Sequence, residues 1–143
     1  MKVREAIDRI DSLKHNTYTN GEKIEWLTRL DGQIKHEIID THECGEDVIF
    51  KPYLEQDMER ELMIGAPYDS MYIRWLEAQI DYYNGEIARY NNSMMMFQAE
   101  YDNYKRFYNR THMPIGYKNK YFGGSSQSTY TKQSIVDVDI REV

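Results

Sequence analysis

Apolar positions from Ile73 to Tyr108 follow one unbroken pattern, with steps that alternate between three and four residues. This is the heptad spacing of a helix that buries a single seam. The seam consists of Ile73, Leu76, Ile80, Tyr83, Ile87, Tyr90, Met94, Phe97, Tyr101, Tyr104 and Tyr108. We therefore predict one long helix over residues 67–111, with Pro67 in its first turn and its end set by Pro114.

Two places within this helix favour a break. Gly85 and the Asn-Asn-Ser run at 91–93 are poor helix formers. We nevertheless expect a continuous helix, because an intervening loop would normally reset the phase of the seam, and the seam crosses both places in phase. Two separate helices are the alternative.

Shorter amphipathic segments precede the long helix. Residues 2–15 predict a first helix and residues 16–21 a turn, and Thr19 with Glu22 matches the capping box that opens a second helix. The apolar face of that helix consists of Ile24, Leu27, Leu30, Ile34 and Ile38. After a loop at 41–51, residues 55–64 predict a short helix. The expected fold is all-α, a small helical bundle over residues 1–112 built on the long C-terminal helix.

The remaining residues, 113–143, differ in composition from this bundle. They begin with a Gly- and Ser-rich stretch typical of a linker, in which Lys118, Lys120 and Lys132 are the only charged residues before residue 135. A short alternating segment with β-forming residues follows. Its residues are Ile135, Val136, Asp137, Val138, Asp139 and Ile140. We expect a flexible C-terminal arm whose strand, 135–140, adds to the edge of a partner's sheet.

Charge and cysteine content narrow the function classes. The 143 residues carry a formal net charge of −6, which argues against a general binder of phosphate backbones. A single cysteine, Cys44, cannot form an intrachain disulfide, which is typical of a cytoplasmic protein. The first residues lack the apolar core of a secretory signal, and no stretch approaches the roughly 18 apolar residues of a membrane span. We therefore expect no membrane association.

One segment resembles a metal-binding motif. His36-Glu37 followed by Asp40 matches H-E-x-x-H except that Asp40 replaces the second histidine, and His42 and Cys44 stand nearby. A small metal hydrolase is therefore one hypothesis. The alternative is that these polar residues are the solvated side of a helix whose isoleucines face the core. The sequence also lacks a nucleophile elbow, a phosphate-binding loop and a dinucleotide fingerprint. We expect no catalytic, cofactor-binding or metal site.

Three stretches have distinctive amino-acid sequences, namely WLTRLDGQI at 26–34, APYD at 66–69 and YNRTHMP at 108–114. Between them lie Tyr72, Trp75, Leu76, Ala78, Gln79, Ile80, Asp81, Asn84, Glu86, Ile87, Ala88, Arg89, Tyr90, Asn91 and Asn92. Together, over roughly residues 19–114, they resemble small proteins of the head-morphogenesis genes of tailed phages and prophages of Gram-positive bacteria. These are related to the siphophage head–tail connector, or adaptor, proteins.

The resemblance implies a virion structural protein without enzymatic activity. Adaptors are helical subunits of a ring, commonly of twelve copies, that docks on the portal through terminal arms and extends the DNA channel toward the tail. The implied partners are other copies of the chain, the portal protein, and a stopper or tail-completion protein. DNA passes through without sequence-specific binding, and the implied location is the virion neck after assembly in the host cytoplasm. The alternative function is a cytoplasmic interaction protein, a coiled-coil homodimer built on the Ile73–Tyr108 seam.

Overall fold

A computed structural model describes residues 1–116, and four α-helices account for most of them. Helix α1 spans Val3–Leu13, α2 Asn20–Glu37, α3 Ser70–Tyr83 and α4 Ile87–Thr111. Within residues 1–116 there is no β-strand, so the predicted all-α helical bundle is confirmed for this part of the chain. The chain divides between Met113 and Pro114 into two units, and the first unit, Met1–Met113, contains the four helices. The predicted arm, including its strand at 135–140, lies outside the described residues.

The predicted continuous helix over 67–111 is wrong, and the alternative of two helices is correct. The break lies at residues 84–86, where Gly85 adopts a positive φ of 77° that suits glycine, whereas residues 91–93 are helical. The amides of Gly85 and Glu86 turn back to the carbonyls of Tyr82 and Asp81. The spacing of the seam continues through this turn in the sequence, although Tyr83 and Ile87 on either side of the turn are exposed in the structure. An in-phase seam therefore did not distinguish a hairpin of helices from one long helix.

The predicted helix over 55–64 is also wrong. Only Glu55–Asp57 forms a short 3₁₀ turn, and the residues that follow form a turn and a bend beside the start of α1, ending in a single antiparallel bridge between Glu61 and Lys2. Val3 N donates to Arg60 O at 3.0 Å and Arg4 N donates to Met58 O at 2.9 Å. The first amides of a helix have no acceptor within it, so this segment satisfies two of them for α1. The carbonyl groups of this segment thus cap the N-terminus of α1.

Helix α2 begins as predicted, because Glu22 N donates to Thr19 Oγ1 at 3.2 Å. Its predicted apolar face is buried throughout. Helices α3 and α4 pack most extensively on each other, and α3 also packs on α1 and α2. The largest side chains that are completely or almost completely buried come from α1, α2, α3 and the segment before α3: Ile7, Ile10, Leu27, Leu30, Ile34, Ile38, Ile64, Met71, Tyr72, Leu76 and Ile80.

Candidate functional site

The predicted seam has three different environments in the structure. On α3, Leu76 and Ile80 are buried and Ile73 is half-buried. On the second half of α4, the seam positions Phe97, Tyr101, Tyr104 and Tyr108 are all buried within the chain. Between them, Tyr90 and Met94 are half-buried, whereas Tyr83 and Ile87 beside the α3–α4 turn are exposed. The structure therefore uses both ends of the seam internally and leaves its middle open.

Exposed apolar side chains are concentrated around this open part of the seam. We call Tyr82, Tyr83, Ile87, Met95 and Met96 the exposed apolar face; their exposed fractions are 51, 51, 56, 72 and 40%. They lie on the last turn of α3 and the first ten residues of α4, where Met95 and Met96 are about 80° and 180° around the helix from Ile87, so the set extends around α4. The two methionines widen the apolar surface of α4, and they face outward instead of joining the bundle core.

Aromatic stacking holds part of this face in place. Tyr83 stacks on Trp26 of α2 with ring centroids 5.5 Å apart and planes 8° from parallel. Tyr82 lies 5.1 Å from the ring of Tyr83 and 5.3 Å from that of Tyr90. Tyr82 and Tyr83 are thus each held by contacts with other aromatic rings, while about half of the surface of each side chain is exposed to solvent. A preorganised aromatic surface binds a partner without losing much side-chain freedom.

A buried carboxylate lies at the centre of the bundle. Asp31 of α2 is fully buried and accepts hydrogen bonds from Tyr72 Oη on α3 at 2.6 Å and from Tyr53 Oη at 2.5 Å. Met63 N donates to the same carboxylate at 3.2 Å, and Ile64 N donates to Tyr72 Oη at 2.9 Å. We call Asp31, Tyr53 and Tyr72 the polar core cluster. It joins α2 and α3 to the segment between them.

The pKa values within this cluster follow from burial. Loss of solvation raises the pKa of Asp31, although the hydrogen bonds from Tyr53, Tyr72 and Met63 N oppose that rise. Burial, reinforced by the negative charge of Asp31, raises the pKa of Tyr53 and the pKa of Tyr72 well above the usual value for tyrosine. The carboxylate is enclosed and already accepts three hydrogen bonds, so its role is to fasten the core.

A second buried carboxylate stands where α3 meets α1 and α4. Asp81 is fully buried; Ser93 Oγ donates to its Oδ2 at 2.9 Å. Its Oδ1 lacks a hydrogen bond of good geometry, and its charge is balanced by the Lys14 ammonium 2.7 Å away. We call Lys14, Asp81 and Ser93 the Asp81 junction. It anchors the end of α1 and the start of α4 to the last turns of α3.

The residues of the metal hypothesis do not converge on a site. Ile34, Ile38 and Ile39 are buried while His36, Glu37 and Asp40 are exposed, as the alternative interpretation predicted. The carboxylate of Asp40 pairs with Lys35. Across residues 1–116 no group of three or more histidine, cysteine, aspartate or glutamate side chains is arranged to hold a metal ion.

Glu37 instead receives hydrogen bonds from the structure. Tyr101 Oη donates to Glu37 Oε1 at 2.8 Å and Gln33 donates to the same carboxylate, and these bonds lower the pKa of Glu37. Burial and the bond to Glu37 together raise the pKa of Tyr101. This contact therefore connects α2 to α4 near the surface.

His42, the other candidate metal ligand, is buried with both ring nitrogens engaged. Nδ1 donates to Ile38 O at 2.6 Å, and Nε2 pairs with the side-chain amide of Asn109 at 2.8 Å. The ring of Tyr108 meets it edge to face at 4.8 Å. His42 thus fastens the end of α2 to the last turns of α4. Cys44, two residues on, is exposed and unbridged.

The structural roles of Asp31, Asp81 and His42 were not predicted from the sequence. For Asp31 a signal existed, because the series 24, 27, 31, 34, 38 follows the same alternating three- and four-residue steps as the seam. A charged residue in such a core position indicates a buried polar contact. Asp81 and His42 carry no comparable signal, since their partners are distant in the sequence.

None of the helices within residues 1–116 has the length and apolar character needed to cross a membrane. The residues expected to dock on a portal, Ile135 to Ile140, lie outside the part of the chain that the structure describes. Comparisons of the chain with protein-family models, with curated proteins and with solved structures find no match.

Proposed function

We propose that this chain is a virion structural protein, a head–tail connector (adaptor) subunit. Copies of it form a ring that docks on the portal and extends the DNA channel toward a stopper or tail-completion protein. In this proposal the chain is not an enzyme and needs no cofactor. It acts in the neck of the virion, after assembly in the cytoplasm of a bacterial host.

The exposed apolar face is the observation that carries the proposal of self-assembly. The bundle already has a closed core, yet Tyr82, Tyr83 and Ile87 remain about half exposed and Met95 is more exposed still. Clusters of exposed apolar side chains mark interaction surfaces, and tyrosine and methionine are enriched where proteins meet. Methionine also adapts its shape to a partner. A subunit that contacts identical neighbours in a ring needs such a surface.

The resemblance to adaptors supports this specific role, and two of the residues that carry it, one on α2 and one on α3, meet in the fold. Trp75 Nε1 donates to Trp26 O at 2.9 Å, so that α2 and α3 are joined by residues from both. The overall charge of −6 also supports a channel role. A ring wall of the same sign as DNA lets the duplex slide, whereas a basic wall would hold it.

The coiled-coil alternative receives less support. A parallel dimer needs a continuous free seam, and Phe97, Tyr101, Tyr104 and Tyr108 are buried against their own chain. A dimer of this kind would have to remove four aromatic side chains from the bundle.

Ring formation can be tested with variants of the exposed apolar face. Ile87→Gln and Met95→Gln are expected to abolish ring assembly, measured by light scattering after gel filtration and by negative-stain electron microscopy. Helix content should stay unchanged because both side chains are exposed. Ile49→Gln is the matched control, since Ile49 is 79% exposed in a loop and should leave assembly intact. A chain that stays monomeric and binds no phage portal protein would overturn the proposal. An elongated dimer would favour the coiled-coil alternative.

Portal docking can be tested on the arm. Replacing Val136, Val138 and Ile140 with serine removes one face of the predicted strand, and this change should abolish capture by immobilised portal protein. Asp137→Asn with Asp139→Asn keeps the alternation and should preserve capture. Equal capture by both variants would refute docking through this strand.

A further inference from the structure

The turn between α3 and α4 has the properties of a hinge. It consists of three residues, 84–86, and Gly85 adopts a positive φ of 77° with no atom within 4 Å of the position that a Cβ would occupy. The seam residues on either side of it, Tyr83 and Ile87, are 51 and 56% exposed. If residues 70–111 were one continuous helix, these two side chains would continue the seam of Leu76 and Ile80 in phase.

We propose that this hinge opens and that α4 exchanges between copies of the chain. In the open form α3 and α4 are one helix, and α4 of one copy packs on α3 of a second copy and contacts its α2. Reciprocal exchange closes a dimer, and one-way exchange from copy to copy closes a ring. This inference goes beyond the proposed adaptor function and does not depend on it, because exchange is a property of the isolated chain.

The contacts that hold α4 are the same whether they are made within a chain or between chains. Glu100 of α4 binds Arg74 Nε of α3 at 3.1 Å and accepts from Ser70 Oγ at 2.5 Å. The Asp81 junction and the Tyr101–Glu37 hydrogen bond likewise join α4 to the other helices. Exchange breaks these contacts once and forms them again in the second copy. The turn alone therefore decides the difference between the two forms.

The closed turn is a glycine cap of the kind that commonly ends a helix, and this cap favours the closed form in an isolated chain. Opening loses the bonds from Gly85 N to Tyr82 O and from Glu86 N to Asp81 O, and it replaces them with bonds of a continuous helix. Opening also places Tyr83 and Ile87 on the seam, where two open copies that cross at the hinge cover them. Glycine opposes the helical form at residue 85, which keeps the closed form dominant in a dilute chain.

Two substitutions shift this balance in opposite directions. Gly85→Ala favours the helix and disfavours the positive φ of the turn, so it should raise the association constant at least about fivefold, the propensity difference converted at room temperature. Ile87→Pro is compatible with the closed form, because Ile87 is the first residue of α4 and Glu86 before it has φ −90° and ψ 77°, outside the helical region. Proline inside a continuous helix is strongly disfavoured, so this variant should lower exchange by about two orders of magnitude.

Cross-linking identifies exchange directly. One copy carries Ser70→Cys and the other, with a longer tag, carries Glu100→Cys, both in a Cys44→Ser background. The two chains are coexpressed and treated with a short bis-maleimide. A mixed cross-link requires residue 100 of one copy to lie beside residue 70 of the other, as exchange demands. A single chain with both cysteines is the control for the geometry, because its closed form links internally.

The inference predicts mixed cross-links that increase with Gly85→Ala and disappear with Ile87→Pro. It is overturned if oligomers show no mixed cross-link, if Ile87→Pro cross-links as strongly as the parent, or if Gly85→Ala remains monomeric at all concentrations. Portal capture by the Ile87→Pro variant separates the two proposals. Capture without exchange supports the adaptor function alone, and exchange without capture supports the hinge alone.

Discussion

Replacing Asp31 with asparagine keeps the size of the side chain and removes one of the two oxygens that accept hydrogen bonds in the polar core cluster. Tyr53 Oη and Met63 N share Oδ2, while Tyr72 Oη uses Oδ1. An asparagine amide can accept at one position only and presents N–H groups at the other. A buried donor left without an acceptor costs about 1–3 kcal/mol. Relief from burying a charge offsets part of this loss, so we expect a net destabilisation of about 1–2 kcal/mol.

The tyrosines of the cluster provide an internal scale for this effect. Tyr53→Phe removes one hydrogen bond to a charged acceptor, for about 1–2 kcal/mol. Tyr72→Phe also leaves Ile64 N without its acceptor, so it should cost about 1 kcal/mol more. Combining Tyr72→Phe with Asp31→Asn should cost less than the sum by about 1 kcal/mol or more, because both changes remove the same bond.

Urea unfolding at neutral pH, followed by tryptophan fluorescence and circular dichroism, measures these free energies, provided that the m-values stay equal. A pH series adds an independent check. Because the pKa of Asp31 is raised in the fold, its contribution is full below the unfolded value near 3.8 and declines as the pH rises toward the folded value. The cost of Asp31→Asn should therefore be larger near pH 4 than at pH 7. The reasoning fails if Asp31→Asn changes stability by less than about 0.5 kcal/mol, or if Tyr53→Phe costs more than Tyr72→Phe.

Further predictions concern the other buried polar groups. Lys14→Gln leaves the carboxylate of Asp81 buried without its counter-charge and should cost about 3 kcal/mol in urea unfolding, whereas Ser93→Ala should cost about 1 kcal/mol. His42→Ala should cost about 2–3 kcal/mol and speed amide hydrogen exchange mainly in the last turns of α4, where Asn109 loses its partner. Because the pKa of Tyr53 is raised in the fold, stability should fall as the pH rises above about 10, and Tyr53→Phe should weaken this alkaline loss; an unchanged alkaline profile would count against it.

The sequence predicted the parts of the fold that depend on local spacing. The face of α2 and the cap at Thr19 follow from apolar periodicity and from a short capping motif, and both are confirmed. The end of α4 at Thr111 follows from Pro114. In each case the residues that determine the structure are within one or two helical turns of one another.

The predictions from the sequence were wrong where the local structure depends on contacts with residues distant in the sequence. The hairpin at Gly85 was given only as the alternative because the spacing of the seam continues across the turn in the sequence, and folding back is favoured by the packing of α4 on α3. The segment after Asp57 is held in its turn beside α1, where the carbonyls of Met58 and Arg60 accept from the amides of Arg4 and Val3, 54 and 57 residues earlier in the sequence. His42 depends similarly on Asn109, 67 residues away. No local pattern encodes these partners.

The way in which α1 is completed has a consequence for synthesis. Its first amides need the carbonyls of Met58 and Arg60, and Lys14 just beyond its end needs Asp81. An isolated helix of 11 residues is too short to be stable in water. Because α1 precedes the other described helices, the carbonyls of Met58 and Arg60 become available to it only after residue 60 has emerged, and the contact of Lys14 with Asp81 forms only after more than half of the 143 residues have emerged. During that interval of translation the apolar face of α1 is only partly covered.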